Sequence, residues 1–252
     1  MFHSKHIGLF IIGFLVLMSF TFPPQKKIKV WLIGDSTMAD KEVKAYPETG
    51  WGMPFAYFFD LSVVVDNRAK NGRSTKTFIE EKLWQSIFDN LHEGDYVLIQ
   101  FGHNDEGKEK VGRYTTPDEF KANLFRYISD AKAKKAIPVL ITPVTRRKFD
   151  ASGKVLETHP QYTDTVRALA KEQAVPLIDL DKKSQDLVQQ FGPDNSKWLF
   201  NYLEPNENPN YPEGKRDDTH FSELGARKIA EIVLAEIKNL HLELAQRIVN
   251  RQ

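Results

Sequence analysis

The 252-residue chain contains no cysteine, which excludes disulfide reinforcement, a thiol nucleophile and a lipid anchor on an N-terminal cysteine. It also lacks an excess of either charge. With 35 Lys and Arg against 34 Asp and Glu, no global field favours nucleic acid or an anionic membrane surface, so any charged ligand has to be read by local residues. Internal repeats and low-complexity tracts are missing as well. The longest apolar run, from Ile7 to Phe20, falls short of the roughly 18–20 residues of a membrane-spanning helix. Preceded by His3, Lys5 and His6 and followed by small polar residues, it reads as a secretory signal peptide at 1–21, with an uncleaved anchor as the alternative. The expectation is an exported protein, periplasmic or secreted, with a linker at 22–27 and one domain at 28–252. Removing the leader takes away Lys5 and no acid, which leaves equal numbers of basic and acidic side chains. Without disulfides the stability of the domain has to come from packing, and the expected state is a monomer.

What the chain does have is alternation. Short apolar, β-branched runs at 29–33, 63–66, 96–101, 138–142 and 176–180 predict strands. Stretches of helical period at 51–60, 75–91, 117–135, 162–173, 182–191 and 222–240 predict helices between and after them. Thr116-Pro117-Asp118-Glu119 is a well-specified helix start, with a capping threonine, a proline at the first helical position and a glutamate three residues on. Apolar strands that alternate with helices indicate a parallel sheet covered on both faces. The expected fold class is therefore α/β, a three-layer, doubly wound, flavodoxin-like sheet of about five strands. Ligands of such folds bind beyond the carboxyl ends of the strands. The segment 192–216, rich in Pro, Asn and aromatic residues, has no regular pattern and is expected to be a functional loop.

Four motifs fall where strands or loops end. Gly34-Asp35-Ser36-Thr37 follows the first strand, where a sharp strand-to-helix turn lifts a serine hydroxyl above the sheet edge; an ordinary helix N-cap is the alternative. Asp217-Asp218-Thr219-His220 precedes the last helix. A hydroxyl is a weak nucleophile unless a base takes its proton, and a base histidine works best when a carboxylate fixes its tautomer. Asp217 is spaced to orient His220 across one turn of chain, the alternative being a solvated acidic turn that caps the helix. Asn71-Gly72-Arg73-Ser74 and Gly102-His103-Asn104-Asp105 offer backbone N–H groups and an amide of the kind that stabilise an oxyanion, or else plain turn residues.

Taken in order, Gly34-Asp35-Ser36, Gly72, Gly102-x-Asn104-Asp105 and Asp217-x-x-His220 resemble the four blocks of the SGNH (GDSL-like) hydrolases. The blocks run from 34 to 220, essentially the whole domain. The resemblance implies a serine esterase in which Ser36 attacks an ester carbonyl, His220 acts as base and then acid, and Asp217 orients it. It also implies an oxyanion hole of Ser36 N–H, Gly72 N–H and the Asn104 amide, with no metal and no organic cofactor required. Within the family, Gly-Asp-Ser-Thr with Ala69-Lys70-Asn71-Gly72-Arg73-Ser74 and Asp217-Asp218-Thr219-His220-Phe221 is most similar to rhamnogalacturonan acetylesterases and related pectin or xylan deacetylases. The partner implied is an acetylated polysaccharide or oligosaccharide. Arg146 and Arg147, after the fourth strand, are then candidates to grip a uronate carboxylate. Trp198, with Trp51, Tyr202 and Tyr211, is a candidate to stack on sugar faces.

Other readings are weaker. A lipase, arylesterase or thioesterase would keep the machinery but needs an apolar acyl-binding surface, whereas the loops here are polar and aromatic. Metal-dependent phosphoester hydrolysis would want a histidine where Thr37 stands and the order Asn-His rather than His103-Asn104. A non-catalytic carbohydrate-binding domain would not need all three of Ser36, His220 and Asp217.

Overall fold

Period-two alternation along each strand decides the layers. In β1 (Ile28–Gly34), Val30 and Leu32 join one buried core and Trp31 and Ile33 the other. In β3 (Tyr96–Gln100), Leu98 faces the first core while Val97 and Ile99 face the second. With β2 (Val63–Asn67), β4 (Ile137–Ile141) and β5 (Leu177–Ile178) these make an all-parallel sheet in the order β2-β1-β3-β4-β5. The computed structural model describes residues 27–249; the expected signal peptide at 1–21 and almost all of the linker lie outside them. The doubly wound, flavodoxin-like sheet expected from the pattern is what the chain forms.

Helices α1 (Gly52–Phe55), α6 (Leu180–Asn195) and α7 (Glu223–Asn239) cover one face through Phe55, Leu180, Val188, Ile229 and Val233. Helices α2 (Thr75–Glu80), α3 (Leu83–Phe88), α4 (Pro117–Ala133) and α5 (Pro160–Glu172) cover the other through Phe78, Trp84, Leu124 and Val166. The start of α4 is capped as its sequence specifies, with Thr116 and Glu119 bonded reciprocally to each other's backbone N–H. The chain steps from β1 outward to β2 and then back across to β3. The order therefore reverses between β1 and β3, and the crevice beyond their carboxyl ends is where such folds bind ligands. Among the described residues no helix is long and apolar enough to cross a membrane.

Several elements differ from expectation: the helix expected over 51–60 is one α-turn (Gly52–Phe55) followed by a 3-10 turn (Ala56–Phe58), and the strand expected over 176–180 is only Leu177–Ile178. The helix expected over 75–91 is two, broken at Lys82 (φ 58°); the break turns Trp84 inward, with its indole 4.9 Å from the Tyr127 ring and its N–H on Asp130. Helix α6 runs on to Asn195 across a kink at Gly192 (φ 72°) and Pro193. The segment expected to be loop contains a 3-10 turn (Ser196–Leu199) and β6 (Phe200–Leu203), which pairs antiparallel with β7 (Lys215–Phe221). The Phe200 and Phe221 rings, 5.3 Å apart and buried, hold this hairpin closed. The turn expected before the last helix is thus the end of a strand.

The hairpin meets α7 at Gly225, where an added Cβ would stand 1.8 Å from the Leu199 carbonyl oxygen. Ser222 caps α7 through Gly225 N–H and donates its hydroxyl to the Trp198 carbonyl. In an open helix, Gly→Ala gains up to about 1 kcal/mol. Here Gly225→Ala is expected to reverse that sign and lower the unfolding free energy by about 1–3 kcal/mol, measured by urea denaturation, because the backbone contact leaves no room.

Candidate active site

The turn after β1 is set by its own polar residues. The Asp35 carboxylate accepts from Thr37 N–H (3.0 Å) and the Thr37 hydroxyl (2.8 Å), which bends the chain sharply at Ser36. A buried chain lies beneath: the Trp51 indole N–H donates to Gln100 Oε1 at 2.6 Å, and Gln100 Nε2 donates to the Thr37 hydroxyl at 2.8 Å. Gly34 is required because a Cβ there would lie 2.5 Å from the Gln100 carbonyl oxygen. Burial alone would raise the Asp35 pKa, but the His103 ring 3.3 Å away and the Thr37 donors hold it well below the usual carboxylate range. His103, itself buried, is pushed down to about 4 chiefly by desolvation, so at neutral pH it is an uncharged imidazole beside an ionised Asp35.

The last residues of β7 reach this turn from the other end of the chain. Ser36 Oγ lies 2.8 Å from His220 Nε2, and His220 Nδ1 lies 3.0 Å from Asp217 Oδ2. Asp217 Oδ1 accepts the backbone N–H groups of Thr219 and His220, each at 2.9 Å. These bonds fix the carboxylate, which in turn makes Nδ1 the protonated nitrogen and Nε2 the acceptor of the serine hydroxyl. Partial burial pushes the Asp217 pKa up, but the His220 ring and the two N–H donors outweigh it and hold the carboxylate well below its ordinary range. The set can pass a proton from hydroxyl to imidazole without moving a backbone atom.

Beyond Ser36 stand three donors. Among the described residues neither Ser36 N–H nor Gly72 N–H has a hydrogen-bond acceptor. Asn104 spends one amide hydrogen on the Arg73 carbonyl (3.0 Å), which leaves the other free. Gly72 has φ 75°, a conformation that favours glycine. Ser74 and Thr75 root this loop: Ser74 caps α2, and Thr75 donates its N–H and hydroxyl to the buried Asp105.

The expected substrate residues divide. Arg146 pairs with Glu106 at 2.6 Å on the wall of a groove of about 730 Å³ lined also by His103, Lys108, Glu109, Lys110 and Tyr114. Arg147 is not open to a ligand. Its guanidinium is shared among Asp218 (2.9 Å), Ser196, Tyr202 and the Pro193 carbonyl, and its N–H bonds the Asp218 carbonyl, so it braces β7 beside Asp217. Trp198 is 71% exposed. Trp51, in contrast, is fully buried under Ser36, and Tyr202 is bonded to Asp218, so neither presents a free face to sugar.

Some residues at the site carry no local sequence signal. Arg113 is exposed, has no ion pair among the described residues, and lies over Gly72: an added Cβ there would be 3.2 Å from its Nη1. Lys41 and Glu48 sit beside Ser36 and His220. Glu48, Asp217 and His220 place donor atoms within 4.8 Å of one another. As a metal site the set is spent, since Lys41 Nζ is 2.7 Å from Glu48 and both His220 nitrogens are engaged.

Comparison with known proteins matches residues 32–228 to the GDSL-like lipase/acylhydrolase family. Rhamnogalacturonan acetylesterase RhgT of Bacillus subtilis is 44% identical over 228 residues, covering 90% of this chain and 97% of that one. A rhamnogalacturonan acetylesterase of Emericella nidulans is 28% identical, covering 82% and 84%. The crystal structure of YxiM from Bacillus subtilis superposes with a TM-score of 0.74 at 25% identity over 87% of this chain, which spans 58% of that longer one. By the extent of the family match and the identity to RhgT, the chain belongs to the GDSL-like lipase/acylhydrolase family.

Proposed function

We propose that the protein is a serine esterase that removes acetyl groups from a plant cell-wall polysaccharide, acetylated rhamnogalacturonan being the substrate its relatives' names support. The observation that carries this is the unbroken contact from Ser36 Oγ through His220 to Asp217. Ser36 attacks the acetyl carbonyl while His220 Nε2 takes the hydroxyl proton. Asp217, ionised throughout the neutral range, stabilises the imidazolium that forms. The oxyanion develops toward Ser36 N–H, Gly72 N–H and the spare Asn104 hydrogen. His220 then returns the proton to the sugar oxygen as the alcohol leaves, and the same base activates water to release acetate from Ser36. Serine and histidine supply the nucleophile and the base, so the scheme calls on no cofactor. The protein acts as a monomeric domain at 28–252, exported by the leader at 1–21.

For the sugar, the polar groove lined by Arg146 and by His103, the chain neighbour of Asn104, the exposed Trp198 and the uncommitted Arg113 guanidinium over Gly72 support a polar, anionic polymer rather than a lipid tail. Arg113 takes the carboxylate role that the sequence suggested for Arg147.

Ser36→Ala is expected to lower turnover by at least about 10⁴-fold while the protein still binds polysaccharide, measured by acetate release and by affinity electrophoresis. Parental turnover in this variant would end the serine mechanism. Asn104→Ala is expected to cost about 100- to 1000-fold in kcat with little change in KM, as for loss of one oxyanion donor. Arg113→Ala is expected to raise KM on acetylated, uronate-bearing polysaccharide and leave aryl acetate hydrolysis unchanged; equal loss on both would place Arg113 in the oxyanion loop rather than in substrate recognition.

A further inference from the structure

The triad mechanism makes no use of Lys41, yet its ammonium is wholly buried. Taking an ammonium out of water costs several kcal/mol unless partners replace the solvent. All the replacements come from the segments that make the site: Nζ donates to the Ser36 carbonyl at 2.5 Å and to Asn71 Oδ1 at 2.9 Å, and it pairs with Glu48 Oε1 at 2.7 Å. Asn71 immediately precedes Gly72, and Glu48 lies within 4.8 Å of the Asp217 and His220 donor atoms. One ammonium therefore ties together the nucleophile turn, the oxyanion loop and the neighbourhood of the base.

The contact with Ser36 matters most. The peptide group joining Ser36 to Thr37 is planar. Its carbonyl is held by Lys41 and its N–H by Asp35 Oδ1 at 3.0 Å, so the plane is pinned at both ends. The peptide plane sets the direction of the serine side chain and constrains the adjoining N–H, the two groups that must reach the substrate together. We propose that Lys41, seated by Glu48, is the positioning residue of this esterase, holding Ser36 and the Gly72 loop in register with His220. Glu48 acts through Lys41: without its charge the ammonium has only neutral oxygens for company and the seat loosens. The proposal rests on Ser36 being the nucleophile.

The test uses the full chain with an aryl acetate as substrate. It follows kcat, KM, thermal midpoint and the rate at which a fluorophosphonate labels the serine, in Lys41→Met, Lys41→Arg, Glu48→Gln and Ser36→Ala. Misplacing a reacting group by about 1 Å can cost about 100-fold, so Lys41→Met is expected to lose about 10- to 100-fold in kcat and in labelling rate with KM nearly unchanged. Lys41→Arg should recover part of that loss, and Glu48→Gln should show a smaller loss of the same kind at a near-parental midpoint. If Lys41→Met does not fold, Glu48→Gln decides. Parental kcat and labelling in the folded variant, or a loss that only tracks the folded fraction, overturns the proposal. Turnover retained by Ser36→Ala instead overturns the serine mechanism and this inference with it.

Discussion

A single 2.8 Å hydrogen bond joins residues 184 positions apart, Ser36 at the end of β1 and His220 at the end of β7. Everything else in the molecule can be ranked by how it serves that contact. One partner stands on the central sheet, where both faces are packed and the strand end cannot wander. The other stands on a two-stranded hairpin that shares no ladder with that sheet. It is held instead by the burial of Phe200 and Phe221 in the core on one face of that sheet, by a bridge between Thr49 and Phe221, by the Arg147 brace on Asp218 and by the close seat of Gly225 on Leu199. Rigid scaffolding on one side and several modest attachments on the other together produce a distance that tolerates little error.

Charge is arranged with the same economy. Asp35 and Asp217 are both depressed carboxylates, but they do different work. Asp35 shapes the turn from below through Thr37 and stands beside His103, whereas Asp217 faces the imidazole of His220 directly. Asp105, buried and pushed up to about 7 by desolvation, ties the Thr75 and Thr115 segments together behind the Gly72 loop. Three carboxylates thus anchor three loops, and of the three Asp217 is the one bonded to the His220 ring.

Much of this was legible in the sequence because it is local. The sheet was legible because its strands are near-continuous apolar runs, such as Val30-Trp31-Leu32-Ile33 and Val97-Leu98-Ile99, which only a strand covered on both faces requires. The four motifs were legible because each is a turn whose shape its own side chains impose: Asp35 on Thr37, Asp217 on Thr219 and His220. What could not be read depends on partners far along the chain. Arg147 looked like a free guanidinium until Asp218, 71 residues on, occupied it. Trp51 looked like a sugar platform until Gln100 claimed its N–H under Ser36. Lys41 and Arg113 belong to no pattern at all, and only the folded arrangement brings one beneath Ser36 and the other over Gly72.

The way the hairpin is held has a further consequence. Although the imidazole and its carboxylate ride on a hairpin that shares no ladder with the main sheet, Phe200 and Phe221 of that hairpin lie in the same buried core as Val30 and Leu32, so the geometry of the site and the packing of the scaffold are joined. Any loosening of β6 and β7 draws those rings out of the core, so the distance between His220 and Ser36 follows the packing of that face of the sheet.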